Sequence, residues 1–252
     1  MTNLKIKLPK NQLTIGSWLT IGNTATTEIM SKSGYFDWLT IDIEHSAISI
    51  SQVQEMIRVI ELCNVAPLVR VGQNNPYLIK RVMDAGAHGI IVPMVNSKED
   101  AENAVAAVKY PPRGNRGVGL ARAQGYGFSF EEYKTWLEKE SVVIVQIEHI
   151  KAIEDLESIL CVPGVDGSII GPYDLSGSLG CPGDFNQPEM LKALQDYEGI
   201  CNRLKKPKGV HVVQPDIRLY KEYRNKGYSF IAVGLDTLFL GTKINEVMGA
   251  IK

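Results

Sequence analysis

The sequence has few cysteines, and their spacing excludes the usual cysteine-based sites. The four lie far apart, at positions 63, 161, 181 and 201, and none belongs to a C-x-x-C pair. A zinc knuckle or a redox dithiol is built around such a pair, so we expect packing or surface thiols.

The sequence also lacks an excess of one charge and any long apolar run. A formal net charge of −1 over 252 residues supplies no broad basic field, so we expect a small ligand and no nucleic acid partner. No apolar run reaches the length of a membrane-spanning helix, and the first residues, MTNLKIKLPKNQLTIGSW, lack the apolar core of a signal peptide. We therefore expect a cytoplasmic protein without a membrane partner.

What the sequence does contain is a regular alternation of short apolar runs with amphipathic segments. The eight predicted strands run from Leu13 to Leu19, Phe36 to Ile43, Ala66 to Val71, His88 to Met94, Val142 to Ile147, Val165 to Gly171, Gly209 to Val213 and Tyr228 to Gly234. The predicted helices lie near residues 25–33, 51–62, 76–85, 97–108, 131–139, 150–160, 187–205 and 215–226, with a last helix from about 236 to 250.

Eight strands, each followed by a helix, predict an α/β fold of the (β/α)8 TIM barrel type with an extra C-terminal helix. The rival is an open doubly wound sheet, which usually has a glycine-rich phosphate turn after its first strand, and WLTIGNTATTE lacks that turn. No linker marks a boundary, so residues 1–252 are predicted to form a single domain. The irregular stretch from Lys109 to Ser129 is interpreted as a wall or lid beside the site.

Reactive groups of such barrels gather at the carboxyl ends of the strands, where this sequence places several polar residues. In VVIVQIE, Gln146 and Glu148 share one strand face, and Asp174 follows the next strand. Two carboxylates from adjacent strands, with positions left for water and substrate, favour Mg2+ or Mn2+ over zinc. The structural alternative is that Glu148 pairs with a neighbouring arginine.

Arg70 ends the third predicted strand, where its planar fork could grip a carboxylate or an enolate oxygen. The alternative is a salt bridge to Glu44 or Glu148.

His45 is the candidate general base because Asp42, just before it, could orient the imidazole and raise its basicity. His149 is its rival, although strand alternation turns it away from the site. The two histidines interpreted as structural are His88 and His211.

Two absences narrow the chemistry further. A Schiff-base aldolase needs a lysine that projects from a strand into the site, whereas the lysines here fall on predicted helices, in loops or at the amino end of the seventh strand. Metal is therefore expected in place of an imine. The segments HVVQPD and VGLDTLF offer little of a phosphate cradle, so a carboxylate substrate is favoured over a phosphate ester.

Six segments in order resemble the HpcH/HpaI aldolases, the metal-dependent class II pyruvate aldolases, over nearly the whole chain. They are GYFDWLTIDIEHS, PLVRVGQNNPYLIKRVMDAGAHGIIVPMV, KYPPRGNRGVG, VIVQIE, GVDGSIIGPYDLSGSLG and FIAVGLDTLFL. The resemblance implies a reversible retro-aldol reaction on a 4-hydroxy-2-oxo acid that releases pyruvate and an aldehyde. It also implies that a divalent metal, Mg2+, Mn2+ or Co2+, is required.

The resemblance further assigns roles to individual residues. Glu148 and Asp174 would hold the metal, and Arg70 would stabilise the enolate. His45 would be the base, with Asp84 raising its basicity.

The expected substrate-binding residues are Arg70, Gln146, Tyr173 through its backbone, Asp174 and Trp18. The family usually has Ala or Ser in place of Tyr173, so the pocket is expected to be narrower or to gain a hydroxyl group. The sequence RGVGLARAQGYG is shorter than in familiar members, so a shorter wall of the aldehyde pocket is expected. The resemblance also implies a homo-oligomer, a hexamer or trimer, in which C-terminal helices are exchanged between subunits.

Two other functions stay open from the sequence. An acyl-CoA lyase of the citrate lyase beta or malyl-CoA lyase type could use the same two carboxylates and would bind CoA. A non-catalytic barrel that senses a carboxylic acid would be stabilised by its ligand without turning it over.

Overall fold

The computed structural model describes residues 2–251, and eight parallel strands in them close into a barrel. The strands are β1 Thr14–Leu19, β2 Trp38–Asp42, β3 Ala66–Arg70, β4 Gly89–Val92, β5 Val142–Ile147, β6 Gly167–Ile170, β7 Lys208–Val212 and β8 Phe230–Leu235. Each strand pairs with the next in the sequence, and β8 returns to β1. The predicted (β/α)8 barrel is confirmed, and a closed barrel excludes the doubly wound alternative.

Helices follow the strands around the outside of the barrel. They are α1 Leu4–Lys7, α2 Thr24–Lys32, α3 Ile50–Leu62, α4 Pro76–Ala85, α5 Lys98–Val108, α6 Phe130–Lys139, α7 Ile150–Glu154, α8 Leu156–Cys161, α9 Pro172–Ser178, α10 Pro188–Leu204, α11 Ile217–Asn225 and α12 Asp236–Ile251. Two short 3-10 helices span Leu8–Lys10 and Arg122–Gly127. None of the helices in residues 2–251 combines the length and apolar character needed to cross a membrane.

The helix predictions fail at short elements. The predicted helix at 150–160 is two helices, because Asp155 leaves helical geometry between α7 and α8. Helices α1 and α9 were not predicted, since seven residues or fewer carry too little periodicity to detect. The signal that could have located α9 is Pro172 at its first position, where a missing N–H costs nothing.

Most helices begin at a residue whose side chain caps the helix N-terminus. Asn23 and Asn75 accept hydrogen bonds from the first free N–H groups of α2 and α4. Ser49 forms a reciprocal capping box with Gln52 at the start of α3. These caps define where each helix leaves its βα loop, and therefore where each loop residue lies at the rim.

Large aromatic side chains fill the barrel interior. The Trp38 and Phe230 rings stack with centroids 4.1 Å apart, and Gly16 lies so close that an added Cβ would be 2.1 Å from the Trp38 ring. Above them, Leu68, Ile144 and Ile169 belong to the same buried cluster. A filled interior leaves only the two ends of the barrel for a site.

The N-terminal segment closes the amino end of the barrel. Leu4 and Leu8 are buried in the same interior cluster. Two lysines of this segment are anchored by carboxylates at the strand starts, with Nζ of Lys5 2.6 Å from Asp166 and Nζ of Lys7 2.9 Å from Asp37. The carboxyl end of the barrel is therefore the end left for ligands.

Candidate active site

A cavity of about 690 Å3 opens at the carboxyl ends of the strands. Seven side chains singled out from the sequence line it: Trp18, Asp42, His45, Arg70, Gln146, Tyr173 and Asp174. They come from five different strands or the loops that follow them. Barrel closure therefore brings together residues that are more than 150 positions apart in the chain.

Arg70 is the most constrained cation in this cavity. Its Nε and Nη2 donate to the two oxygens of Asp42 at 2.9 and 2.7 Å, and its Nη1 lies 3.1 Å from a Glu44 oxygen. The guanidinium carbon also lies 4.4 Å from the Trp18 ring centroid. The ion pair with Glu44 named as the structural alternative is thus present, and the remaining N–H groups of Arg70 are left for a ligand.

Asp42 does not orient the His45 ring as its position in the sequence suggested. Its carboxylate is occupied by Arg70, and Oδ1 also accepts hydrogen bonds from the backbone N–H groups of Glu44 and His45. The reason is register, because Asp42 on β2 pairs directly with Arg70 on β3. Asp42 therefore holds Arg70 and the backbone of the β2–α3 loop.

His45 lies at the mouth of the cavity, with 69% of its side chain exposed. Its Nε2 is 3.9 Å from the nearest Glu44 oxygen, which makes Glu44 the carboxylate beside the ring. Burial raises the pKa of Glu44, and the Arg70 charge opposes that rise. His45 can therefore approach a ligand bound deeper in the cavity without breaking a contact of its own. Its rival His149 caps α7 instead, accepting a hydrogen bond from Lys151 N–H.

Glu148 is a buried carboxylate just beyond β5. Its Oε1 accepts a hydrogen bond from the backbone N–H of Met94 at 2.6 Å, and Oε2 accepts one from Nε2 of Gln146. Burial raises the pKa of Glu148, and the negative charge of Asp174 raises it further. An anion that is costly at this position would be stabilised by a cation.

Asp174 lies in the first turn of α9, its side chain is exposed at the cavity, and its charge acts on Glu148. Gly171 lies against Glu148, and a Cβ at that position would lie 2.9 Å from Glu148 Cβ and 3.2 Å from Oε2. The missing side chain thus leaves the space that the Glu148 carboxylate occupies. No group of three or more His, Cys, Asp or Glu residues in 2–251 could together hold a metal ion.

The available donor atoms fit a hard divalent cation that has few protein ligands. Glu148 and Asp174 supply carboxylate oxygens, which Mg2+ and Mn2+ prefer. With two protein carboxylates, most of the coordination sphere would remain for water and for a substrate that carries oxygen ligands.

Asp84 does not meet His45 within one chain. Its Oδ1 accepts hydrogen bonds from Nη2 of Arg116 at 2.5 Å and Nε2 of Gln124 at 3.3 Å. The Arg116 side chain is fully buried, and its Nη1 donates to the Tyr133 hydroxyl at 2.8 Å. A buried guanidinium needs a carboxylate partner, and Asp84 is the partner of Arg116. Within one chain the Asp84 carboxylate therefore pairs with Arg116 and does not act on His45.

The stretch from Lys109 to Ser129 is not a wall or lid of this cavity within one chain, because it supplies none of the lining residues. Arg116 and Arg122 instead anchor it to α3 and α4, where Arg122 pairs with Glu61 and donates to the carbonyl of Ala85. These partly buried hydrogen bonds and ion pairs hold the stretch in place, although its Pro- and Gly-rich composition had suggested a lid.

His211 lines the cavity, although its sequence context had indicated a purely structural role. Its ring stacks on Trp18 with centroids 5.2 Å apart, and its Nε2 is 2.9 Å from the Gly234 carbonyl oxygen. Burial and the positive charge of Arg70 lower its pKa, opposed by the Gly234 hydrogen bond, to about 4. The available signal was alternation, because apolar Val210 and Val212 on either side place His211 on the opposite face of β7.

The sequence analysis also missed Asp236 at the rim and Phe185 in the cavity lining. Asp236, buried at the start of α12, accepts hydrogen bonds from Thr20 N–H and Ile21 N–H at 2.8 to 3.0 Å. It thereby holds the β1–α2 loop beside Trp18. Tyr173 is exposed and meets Phe185 edge to face at 5.1 Å, so the cavity edge here is aromatic.

This chain is similar in sequence to a known family and to characterised relatives. The family model for HpcH/HpaI aldolase/citrate lyase matches residues 14–241. A pyruvate aldolase of Rhizobium etli is 38% identical over 95% of this chain and 93% of its own length. A 5-keto-4-deoxy-D-glucarate aldolase of Escherichia coli is 37% identical over 92% of this chain and 90% of its own.

Solved structures agree with the sequence relatives. An HpcH/HpaI aldolase/citrate lyase family protein from Burkholderia cenocepacia J2315 superposes with a TM-score of 0.93 at 31% identity, over 99% of both chains. The resemblance drawn from the six sequence segments is confirmed. The chain belongs to the HpcH/HpaI aldolase/citrate lyase family.

Proposed function

We propose that this protein is a divalent metal-dependent aldolase that reversibly cleaves a 4-hydroxy-2-oxo acid into pyruvate and an aldehyde. The observation that carries the proposal is the arrangement of one cavity at the carboxyl end of the barrel. On one side a guanidinium, Arg70, is held by two carboxylates. Asp174 lines the same cavity, and its charge acts on the buried carboxylate of Glu148; neither carboxylate forms an ion pair among residues 2–251. The pyruvate aldolase among the relatives supports the choice of oxo acid.

Glu148 and Asp174 would hold the metal, with Gln146 and the Met94 N–H fixing the Glu148 carboxylate. A bound Mg2+, Mn2+ or Co2+ would supply Lewis-acid stabilisation of the charge that develops on the 2-oxo oxygen. The exposed Asp174 is the more accessible of the two ligands.

Arg70 would bind the oxo acid and stabilise the pyruvate enolate through the N–H groups that its carboxylate partners leave free. Because Asp42 and Glu44 already neutralise and orient the guanidinium, little reorganisation is needed as charge develops on the substrate. Trp18 covers one face of the guanidinium and keeps water from it.

His45 would remove the proton from the 4-hydroxyl group as the bond between C3 and C4 breaks. The electron pair of that bond would move onto the oxo acid to give the enolate, and the aldehyde would leave through the mouth where His45 lies. A proton then adds to C3 of the enolate, so that the proton taken from the 4-hydroxyl group is balanced and pyruvate is released. In the synthetic direction the same imidazole returns the proton. Gln146, which also lines the cavity, and the backbone at Tyr173 would complete the contacts to the oxo acid.

We also propose that the functional form is a homo-oligomer in which α12 packs on a second copy of the chain. Apolar side chains on this helix are between 45% and 70% exposed: Leu240, Ile244, Val247, Met248 and Ile251. Their spacing places them in one stripe along the helix, and such a stripe is normally covered in a stable protein.

The test is pyruvate release from 4-hydroxy-2-oxo acids of several chain lengths by metal-stripped protein, before and after addition of Mg2+, Mn2+ or Co2+. We expect activity only with metal. Arg70→Lys keeps the charge but not the fork, and we expect kcat to fall by about a hundredfold or more. The matched control is Arg203→Lys on the surface of α10, which should retain wild-type activity.

Calorimetric titration with Mn2+ separates metal binding from turnover. Glu148→Gln and Asp174→Asn should each lose measurable binding, whereas Asp196→Asn on α10 should bind as the wild type does. Wild-type pyruvate release by metal-free protein, or by Arg70→Lys, would refute the proposal. Product formation only from a CoA thioester would favour the acyl-CoA lyase instead.

A further inference from the structure

His211 faces the interior of the barrel at the base of the cavity. On β7, Val210 and Val212 point outward into the core between the strands and the helices, so His211 points inward. It is paired in register with Ala232 of β8, whose side chain belongs to the interior cluster. The imidazole is therefore a polar group at a level of the barrel where the neighbouring interior positions are apolar.

The hydrogen bond to Gly234 determines which tautomer the ring adopts. A carbonyl oxygen only accepts, so Nε2 of His211 carries the hydrogen and Nδ1 carries a lone pair. Among residues 2–251, the hydrogen bond from Nε2 is the only one that the His211 side chain forms, and the residue lines the cavity. Because the imidazole is neutral, it presents an acceptor and neither a charge nor a donor.

Trp18 connects this acceptor to the oxo-acid half of the cavity. The indole contacts the His211 ring at 5.2 Å and the Arg70 guanidinium at 4.4 Å. His45, by contrast, is at the solvent-exposed mouth. Arg70 and His211 thus both contact Trp18, whereas His45 lies toward solvent.

We propose that His211 is a substrate-binding residue whose Nδ1 accepts a hydrogen bond from a hydroxyl group on C3 of the 2-oxo acid. The chemical class that it adds to pyruvate is a 3-hydroxy-2-oxo acid such as 3-hydroxypyruvate, whose use relative to pyruvate depends on His211. This inference rests on the proposed aldol function and adds a second nucleophile to pyruvate. With 3-hydroxypyruvate, Nδ1 of His211 accepts a hydrogen bond from the C3 hydroxyl group. With pyruvate, the same nitrogen faces a methyl group and stays unpaired.

The experiment compares 3-hydroxypyruvate with pyruvate as nucleophile toward one aldehyde, glycolaldehyde, and measures the ratio of the two kcat/KM values. His211→Phe keeps a ring beside Trp18 but removes the acceptor, and the ratio should fall about tenfold. His211→Asn places an amide oxygen near the position of Nδ1, and the ratio should stay within about twofold of wild type. A ratio is insensitive to partial loss of folded protein.

An unchanged ratio in His211→Phe would overturn the assignment. So would equal falls in both variants, because packing rather than the acceptor would then set the preference. The same pair of oxo acids is titrated into each Mg2+-loaded variant without aldehyde, with tryptophan fluorescence as the readout. If no variant forms or cleaves a C–C bond, the aldol function fails, while the ratio of dissociation constants still decides the role of His211.

Discussion

Arg70 and Asp42 meet through two parallel hydrogen bonds, from Nε to Oδ1 at 2.9 Å and from Nη2 to Oδ2 at 2.7 Å. The two residues are opposite each other in the register of β2 and β3, at the last position of each strand. The pair is nearly buried, with 3% of the Asp42 side chain and 13% of the Arg70 side chain exposed. This geometry leaves the guanidinium little rotational freedom and aims its free N–H groups into the cavity.

Replacement of Asp42 by Asn should therefore affect catalysis through Arg70. An amide cannot accept both guanidinium hydrogen bonds, so the fork should turn toward Glu44, and kcat for pyruvate release should fall about tenfold to a hundredfold. Loss of the buried partner should also lower the free energy of unfolding by about 1–3 kcal/mol, measured by urea titration. Asp196→Asn, which breaks an exposed pair with Lys192, is the control and should change neither quantity appreciably. Wild-type kcat in Asp42→Asn would show that Arg70 does not depend on this contact.

Gly171 is expected to be essential for metal affinity although it contributes no ligand atom. An alanine Cβ would lie 2.9 Å from Glu148 Cβ, so in Gly171→Ala the carboxylate should be displaced from Asp174. Displacement of a ligand by a neighbouring residue typically weakens metal binding by about ten- to a hundredfold, which Mn2+ titration would measure. Gly177→Ala is the matched control because no atom lies within 4 Å of its added Cβ. Equal Mn2+ affinity in the two variants would contradict a metal at Glu148.

His211 should make stability depend on pH in a defined window. Its folded pKa of about 4 lies below the usual 6.5, so between those values only the unfolded state takes up the proton. Stability from this group is therefore complete above pH 6.5 and is lost as the pH falls toward 4, by at most about 3 kcal/mol. The groups that act on the ring are Arg70, Asp42 and the Gly234 carbonyl.

Urea denaturation of wild type and His211→Phe between pH 4 and 7.5 tests this linkage. The difference in free energy of unfolding between the two proteins should change across that window and stay constant above it. A difference that is constant down to pH 4 would show that His211 titrates normally in the folded protein.

The stripe on α12 should control assembly. Ile244→Asp places a charge in the middle of the stripe, so the molar mass from light scattering after size exclusion should fall toward that of one 27.8 kDa chain. Asn245→Asp adds the same charge on a different face of the helix and should leave the mass unchanged. Equal masses for the two variants would place the subunit contacts elsewhere.

The sequence was sufficient for the architecture because the relevant signals are local. Alternation of Ile144, Gln146 and Glu148 along β5 depends only on backbone geometry, and the eight βα units could be counted from their periodicity. Seven of the residues expected at the site do line one cavity, since parallel strands in a barrel all end at the same rim.

The tertiary structure alone decided which of these residues are partners. Arg70 meets Asp42 because of strand register, Asp84 meets Arg116 because a buried guanidinium needs a carboxylate, and His211 reaches Trp18 only because β7 and β1 curve around one interior. Such contacts join positions as far apart as 193 residues, from 18 to 211, and no local pattern encodes them. Periodicity specifies which face a side chain occupies, whereas ion pairs and ring stacking depend on how the closed barrel brings those faces together.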